Sequence, residues 1–144
     1  MTQYNVDFAQ WAYEQAALCR QRNWVAFDAE HVADELENMG VRERRELISR
    51  LSVLLAYLLK WQYQPQWRGK SWRLAIHIQR LDIENLLNHN PSLRGRVVDC
   101  LLDSYYRAVL QAALETGLNE AVFPIECPFT LEQILEEYWP VDGE

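Results

Sequence analysis

The sequence predicts an all-α protein: an antiparallel bundle of about five helices, then a short C-terminal helix after an extended, proline-containing segment. Apolar residues recur at three- and four-residue spacing through most of the 144 residues, which is the period of an amphipathic helix. The sequence lacks the two-residue alternation of a half-buried strand. Connections between the apolar stripes are short, which favours antiparallel neighbours in one bundle.

The first three predicted helices occupy the N-terminal part of the chain. The first spans residues 6–22. Asp28 is a plausible N-cap for the second, which is expected to stop with Gly40 in the left-handed C′ position. The third follows directly and runs to about Gln64; its second half is apolar almost all round and should be the buried central helix. The stripe of the first helix consists of Phe8, Trp11, Ala12, Gln15, Leu18 and Cys19.

Two more long helices are predicted in the second half of the chain. The fourth starts near Ser71, a plausible N-cap, and runs to about Asn88. The fifth begins at Pro91, a residue that suits the first helical position, with Asn90 or Ser92 as its cap. The inward-facing residues of both helices are expected to be Trp72, Ile76, Ile83, Leu87, Val97, Leu101, Tyr105, Ala108 and Ala112.

The C-terminal tail changes character after Gly117, where the fifth helix is expected to end. Phe123–Phe129 contains two prolines and predicts an extended segment. Thr130, with Gln133 three residues later, matches a capping box and predicts a short helix to about Tyr138.

Length and composition limit the class of protein. The 144 residues fit a single domain, residues 1–144, and 49% hydrophobic content argues against disorder. The N-terminus has no basic region followed by an apolar stretch, and the longest apolar run, Val53–Leu59, is far shorter than the roughly 20 residues of a membrane span. Three widely spaced cysteines without a CxxC motif favour reduced thiols. We therefore expect a cytoplasmic protein without a membrane partner.

Charge is unevenly distributed along the chain, although the net charge is −7. Residues 1–40 hold two arginines against seven acids, residues 41–80 hold nine basic residues against two acids, and residues 81–144 hold three arginines against twelve acids. The overall acidity disfavours nucleic-acid binding. The basic middle is either neutralised within the chain or forms an anion-binding face, and the sequence leaves both open.

The candidate site lies in LLKWQYQPQWRGKSWRLAIHIQR, Leu58–Arg80. The anion-binding candidates are Lys60, Lys70, Arg73, His77 and Arg80, and the candidates for an aromatic rim are Tyr57, Trp61, Trp67 and Trp72. Lys70 and Arg73 fall near a predicted helix N-terminus, where backbone N–H groups favour an anion. The alternative is a helix corner sealed by tryptophans. A nucleic-acid alternative rests on Arg42, Arg44, Arg45 and Arg50.

Metal and catalytic chemistry find little support in the sequence. Asp28-x-x-His31 is half of a di-metal helix motif, but neither His77 nor His89 has a carboxylate three residues earlier. Cys127 lies between two prolines without a nearby histidine. We therefore predict no metal and no cofactor, and an enzyme is disfavoured because no catalytic constellation is present.

Six short motifs resemble one family. LLKWQYQP (Leu58–Pro65), SW, QR, PSL, ETGL and FPIECPFTLEQIL (Phe123–Leu135) follow the order and spacing of the bacterial family filed as domain of unknown function number 29. The resemblance covers nearly the whole chain and implies a small, single-domain, all-helical bacterial protein. It implies no reaction. Relatives often have His where this chain has Tyr57, so a ligand or base at that position would be missing here.

The functional expectation is a non-enzymatic helical binding or interaction protein of the bacterial cytoplasm. It would act through a protein partner or as a homo-oligomer, with the stripes of the first and fifth helices, including Trp11, Tyr105 and Tyr106, as candidate contact surfaces. The first alternative is an enzyme or binding domain for a small phosphorylated or carboxylate ligand on the Lys60–Arg80 face. The second alternative is nucleic-acid binding through the Arg42–Arg50 segment.

Overall fold

The computed structural model describes residues 2–141, and within these residues the chain forms helices and turns but no strand. The five α-helices are α1 (Phe8–Gln21), α2 (Ala29–Tyr63), α3 (Lys70–His89), α4 (Val97–Thr116) and α5 (Leu131–Leu135). Short 3-10 turns span Pro65–Trp67, Pro91–Arg96 and Glu120–Val122. The all-α prediction is confirmed.

The chain divides into two compact units, with the boundary after Arg42. The first contains α1 and residues 29–42 of α2; the second contains the rest of α2 and everything that follows. The single domain expected from the sequence stays a prediction.

The second unit is a helical bundle with a dense apolar core. The second half of α2 is its central element, because six of its leucines are fully buried, as predicted from its all-round apolar sequence. The core members with no exposed surface are Leu47, Leu51, Leu54, Leu55, Leu58, Leu59, Ile76, Ile83, Cys100, Ala108, Ala112 and Ile134. Each large aliphatic side chain buried in this way contributes about 1.5–3 kcal/mol of transfer free energy.

The first unit has much less buried surface. Asp7 caps α1 by accepting a hydrogen bond from the Gln10 N–H at 3.0 Å, and α1 ends at Arg22 in the left-handed region, φ 56°. Only Trp11 and Gln15 of α1 are buried. Gln15 stabilises the start of α2, since its side-chain oxygen accepts from the Asp28 N–H at 2.7 Å.

Two predicted caps and one predicted helix end are confirmed. Asp28 accepts a hydrogen bond from the His31 N–H at 3.3 Å at the start of α2. Gly117 ends α4 in the left-handed conformation, φ 76°. Thr130 and Gln133 form a reciprocal capping box that opens α5.

Four predicted boundaries are wrong. The helix expected to stop at Gly40 continues through it, because one glycine costs a helix only about 1 kcal/mol when both flanks are helical. Gly69, not Ser71, occupies the N-cap of α3. Pro91 opens a 3-10 turn and α4 begins only at Val97, after a segment weakened as a helix by Gly95.

The fourth wrong boundary is the end of α5, at Leu135 instead of about Tyr138. Arg80 donates to the carbonyl oxygens of Gln133 and Ile134, which a longer helix would have offered to the N–H groups of Glu137 and Tyr138. The guanidinium thus replaces the next helical turn, and Glu136 takes an extended conformation.

Candidate functional site

The structure brings three of the predicted site residues together around one buried cation. The Lys60 side chain is 6% exposed, and its Nζ donates to Glu115 Oε2 at 2.5 Å. The same Nζ lies 3.9 Å from the centroid of the Tyr57 ring and 5.2 Å from that of Trp72, within the range of cation–π attraction. The ammonium therefore has an internal carboxylate and two aromatic faces as partners.

Glu115 is the solvent-exposed partner of this ion pair, with 39% of its side chain exposed. Burial raises the pKa of its carboxyl, but hydrogen bonds from Lys60 and Gln111 outweigh burial, so the pKa is lowered overall. The Lys60–Glu115 pair therefore holds α2 and α4 together in its charged form.

Arg80 is used to fasten the C-terminal segment. Its guanidinium donates to three main-chain carbonyls, those of Gln133 at 3.0 Å, Ile134 at 2.9 Å and Tyr138 at 2.9 Å, and lies 5.7 Å from the Trp139 ring. Burial lowers the pKa of Arg80, although nearby Glu137 raises it. Sequence reasoning missed these partners, since they lie more than 50 residues away and are backbone atoms.

The aromatic candidates divide between core and surface. Trp61 is buried and packs against Trp139 at a centroid separation of 4.6 Å, while the Arg68 Nε donates to the Trp61 carbonyl at 2.6 Å. Trp67 is exposed. The structure therefore does not gather the four aromatic residues into one rim; Trp61 belongs to the contact between α2 and the C-terminal segment.

The remaining anion candidates, Lys70, Arg73 and His77, are exposed on α3. His77 and Arg80 line a cavity of about 320 Å³ together with the carboxylates of Glu84 and Glu137. These acids make the cavity less favourable to an anion. Anion binding at the Lys60–Arg80 face stays a prediction, and its two central cations already have partners within the chain.

Two of the arginines considered for nucleic-acid binding form ion pairs. Arg44 lies 3.4 Å from Asp103, and Arg50 lies 3.0 Å from both Glu46 and Asp82. Arg42 and Arg45 are exposed. The nucleic-acid alternative is not tested by this geometry.

A polar cluster in the first unit contains the half-motif noted in the sequence. His31 Nδ1 lies 2.7 Å from Asp28 Oδ2, Trp11 Nε1 donates to the same oxygen at 3.1 Å, and the Tyr4 ring stacks on the His31 ring at 4.2 Å. The hydrogen bond with His31 is the main cause of the lowered pKa of Asp28. Within residues 2–141 no three His, Cys, Asp or Glu side chains converge to hold a metal ion.

Five exposed apolar side chains on α4, spaced four residues apart, are here called the α4 row; each step turns the row by about 40° around the helix. Its members recur every four residues: Val98, Leu102, Tyr106, Leu110 and Leu114. Their exposed fractions range from 43% to 78%. Sequence reasoning noticed only Tyr106 on this face, although the four-residue spacing is legible in the sequence and contains the missing signal.

The first unit contains an apolar groove of about 530 Å³ between α1 and the start of α2, here called the α1–α2 groove. Its floor and walls include Phe8, Ala12, Ala16, Leu36, Met39 and, at one end, Arg42. Concave apolar sites of 300–1,000 Å³ with few polar groups are typical ligand sites. The groove was not predicted, since its two walls come from separate helices.

Two further findings concern the whole chain. Within residues 2–141 no helix is long and apolar enough to cross a lipid bilayer. Comparison with curated proteins and with solved structures finds no match. The model of one family, described as Domain of unknown function DUF29, matches residues 3–140, nearly the whole chain, so the protein belongs to this family.

Proposed function

We propose that this chain is a non-enzymatic protein of the bacterial cytoplasm that works by binding protein, and that it binds a second copy of itself through the α4 row. The family resemblance supports a bacterial source. Three free cysteines, Cys19, Cys100 and Cys127, support a reducing compartment. The single observation that carries the proposal is the unbroken apolar row on α4.

The α4 row differs from a scatter of single exposed apolar residues by its regular four-residue spacing. Single exposed leucines are ordinary, but contiguous apolar patches mark interaction sites. The five side chains span seventeen residues, Val98–Leu114, which is a rise of about 24 Å at 1.5 Å per residue.

A second copy of the chain can pair with the α4 row because the row has apolar residues at equal spacing on both sides of Tyr106. A twofold axis through Tyr106 would place Leu102 near Leu110 of the other copy. Ridges formed by every fourth residue interdigitate at a crossing angle of about −50°. A shallow groove of about 210 Å³ between α2 and α4, lined by Val53 and Tyr57, lies beside the ridge and offers room for a partner side chain.

The charges beside the row also favour self-association. Asp99 and Asp103 lie on the first half of α4 and Arg107 on the second half. Antiparallel pairing about Tyr106 brings each Arg107 within reach of Asp103 in the other copy. Such complementary charges set the register of an interface more than its affinity.

Sedimentation equilibrium tests the proposal. We expect a mass of twice the 17.0 kDa chain at micromolar concentration. Leu102→Glu and Leu110→Glu should each give monomers, because a carboxylate at the centre of an apolar contact is left unpaired. Ile78→Glu is the matched control: Ile78 is 52% exposed on α3, outside the row, so this variant should remain dimeric.

The outcome can contradict the proposal in two ways. A wild-type chain that stays monomeric up to about 100 μM has too little affinity for a specific dimer, since this limit corresponds to less than about 5.5 kcal/mol of binding free energy. A dimer that survives both α4 substitutions, with helix content unchanged by circular dichroism, uses another surface.

A further inference from the structure

We propose that the α1–α2 groove binds a long-chain carboxylate, with its hydrocarbon tail along the groove and its carboxylate on Arg42. This site is separate from the α4 row and does not depend on self-association. Three features of the groove support this occupant: its apolar lining, its shape and the position of its cation.

The lining of the groove is apolar and stays uncovered. Phe8, Leu36 and Met39 each keep more than half of their surface exposed, although all three line one concavity. Burying each such side chain fully is worth about 1.5–3 kcal/mol, and an apolar tail laid between them would recover part of it. Met39 adds a flexible, polarizable wall that adapts to an alkyl chain.

The shape of the groove suits an extended chain. Ala12 and Ala16, one turn apart on α1, provide a floor of small side chains between larger walls. The groove follows α1 from Phe8 to Cys19, a rise of about 16 Å at 1.5 Å per residue.

The charges in the groove select a carboxylate. Arg42 is the cation of the lining, and its side chain makes no hydrogen bond or ion pair with any residue in 2–141. Glu35, the acid of the lining, accepts a hydrogen bond from the Tyr4 hydroxyl and lies about 10 Å from Arg42 along α2, at 1.5 Å per residue, so a carboxylate on Arg42 would not lie beside it. Arginine binds carboxylates through two parallel N–H donors, so the free guanidinium at one end of an apolar groove complements an amphipathic anion.

A basic amphipathic helix fits the groove less well. Of the acidic side chains on the first part of α2, Glu30, Asp34 and Glu37 lie on the face opposite Leu36 and Met39, by the 100° step of a helix, and only Glu35 lines the groove. The three acids on the opposite face would not meet lysines flanking a helix that lies in the groove, Glu35 already has the Tyr4 hydroxyl as a partner, and Arg42 would repel such lysines.

Binding of dodecanoate, below its micelle concentration, tests the proposal by calorimetry. We expect binding of one dodecanoate per chain. Arg42→Gln should weaken it at least about tenfold, since a charge-assisted hydrogen bond is lost. Arg45→Gln, at another exposed arginine three residues away, should leave it unchanged. Ala16→Phe should abolish it by filling the floor, and circular dichroism should show that both groove variants keep their helix content.

Alkylation of Cys19 gives a second measurement of binding that does not rely on calorimetry. Cys19 is exposed and lines the groove, whereas Cys100 is buried. Dodecanoate should slow iodoacetamide labelling of Cys19 in the wild-type chain but not in Ala16→Phe. Dodecylammonium binding as tightly as dodecanoate would overturn the assignment to a carboxylate. Absence of dodecanoate binding, or binding that Arg42→Gln and Ala16→Phe leave intact, would overturn the site itself.

Discussion

At the scale of single residues, the Lys60–Glu115 pair is asymmetric, and the asymmetry predicts which partner is more costly to lose. Glu115→Gln leaves a buried ammonium without a carboxylate and should lower the free energy of unfolding by about 1–3 kcal/mol. Lys60→Met leaves a carboxylate that water can reach, so it should cost less. Urea unfolding at pH 7 measures both, and the double variant should resemble Lys60→Met. Equal losses in the two single variants would contradict this account.

The same pair should make stability depend on pH in the acid range. The folded-state pKa of Glu115 lies below its ordinary value of 4.5, so its contribution is complete above that pH and is lost as pH falls through the folded-state pKa. The difference in unfolding free energy between wild type and Glu115→Gln should therefore be constant at pH 5–7 and shrink toward pH 3. A difference that grows on acidification would mean that the pKa is raised instead.

The contribution of Arg80 to stability should depend on the planar shape of its guanidinium more than on its positive charge. Arg80→Lys keeps the positive charge, but an ammonium cannot span the three carbonyls of Gln133, Ile134 and Tyr138. We expect a loss of about 1–2 kcal/mol and faster amide exchange in α5. Arg73→Lys on the exposed face of the same helix is the control and should be neutral. Full retention of α5 protection in Arg80→Lys would show that the guanidinium does not hold this segment.

At the scale of elements, replacing Gly40 and Gly117 by alanine should change stability in opposite directions. Gly40 lies inside α2, and a Cβ there would meet no atom within 4 Å, so Gly40→Ala should stabilise the helix by about 0.5–1 kcal/mol. Gly117 has φ 76°, so Gly117→Ala should destabilise by about 1 kcal/mol despite equally open space. Denaturant midpoints and amide exchange in α2 measure both. A destabilising Gly40→Ala would instead favour the helix end that the sequence pattern predicts.

These glycines also show how far an element can be predicted from sequence. Local signals sufficed where all participants lie within one turn, as with Gly117 and the capping box at Thr130. Local signals failed at Gly40, because a glycine between two strong helical segments is compatible both with the end of a helix and with its continuation. The end of α5 depends on Arg80, 53 residues from Gln133, and such a partner is set by packing.

In the candidate site, too, neighbours within one stretch of sequence were predictable and partners from other helices were not. The sequence identified Tyr57, Lys60 and Trp72 as neighbours on a corner, and the structure places them together, but their partner Glu115 lies on another helix. The α4 row was within reach of sequence reasoning, since its period is regular. The α1–α2 groove was not, because neither wall alone differs from an ordinary amphipathic stripe.

At the scale of the whole molecule, the two units should differ in local stability. In α1 only Trp11 and Gln15 are buried, whereas α4 buries seven residues, among them Ala108, Val109 and Ala112. Segments that bury few apolar contacts open at lower free energy than core helices, and compact units near 40 residues are marginal alone. Native-state hydrogen exchange should therefore find α1 amides opening at least about tenfold more often than those of α4, a difference of at least about 1.4 kcal/mol.

Added denaturant makes this prediction specific. Openings that expose a whole unit become more frequent in proportion to the surface they expose, so α1 amides should follow a shallow slope and α4 amides the slope of global unfolding. Dodecanoate, if it occupies the α1–α2 groove, should raise the protection of α1 and leave that of α4 unchanged, because a ligand stabilises the unit that must fold to bind it. Equal opening free energies in α1 and α4, with the same denaturant slope, would mean one cooperative unit. They would support the single domain that the sequence predicts over two units of unequal stability.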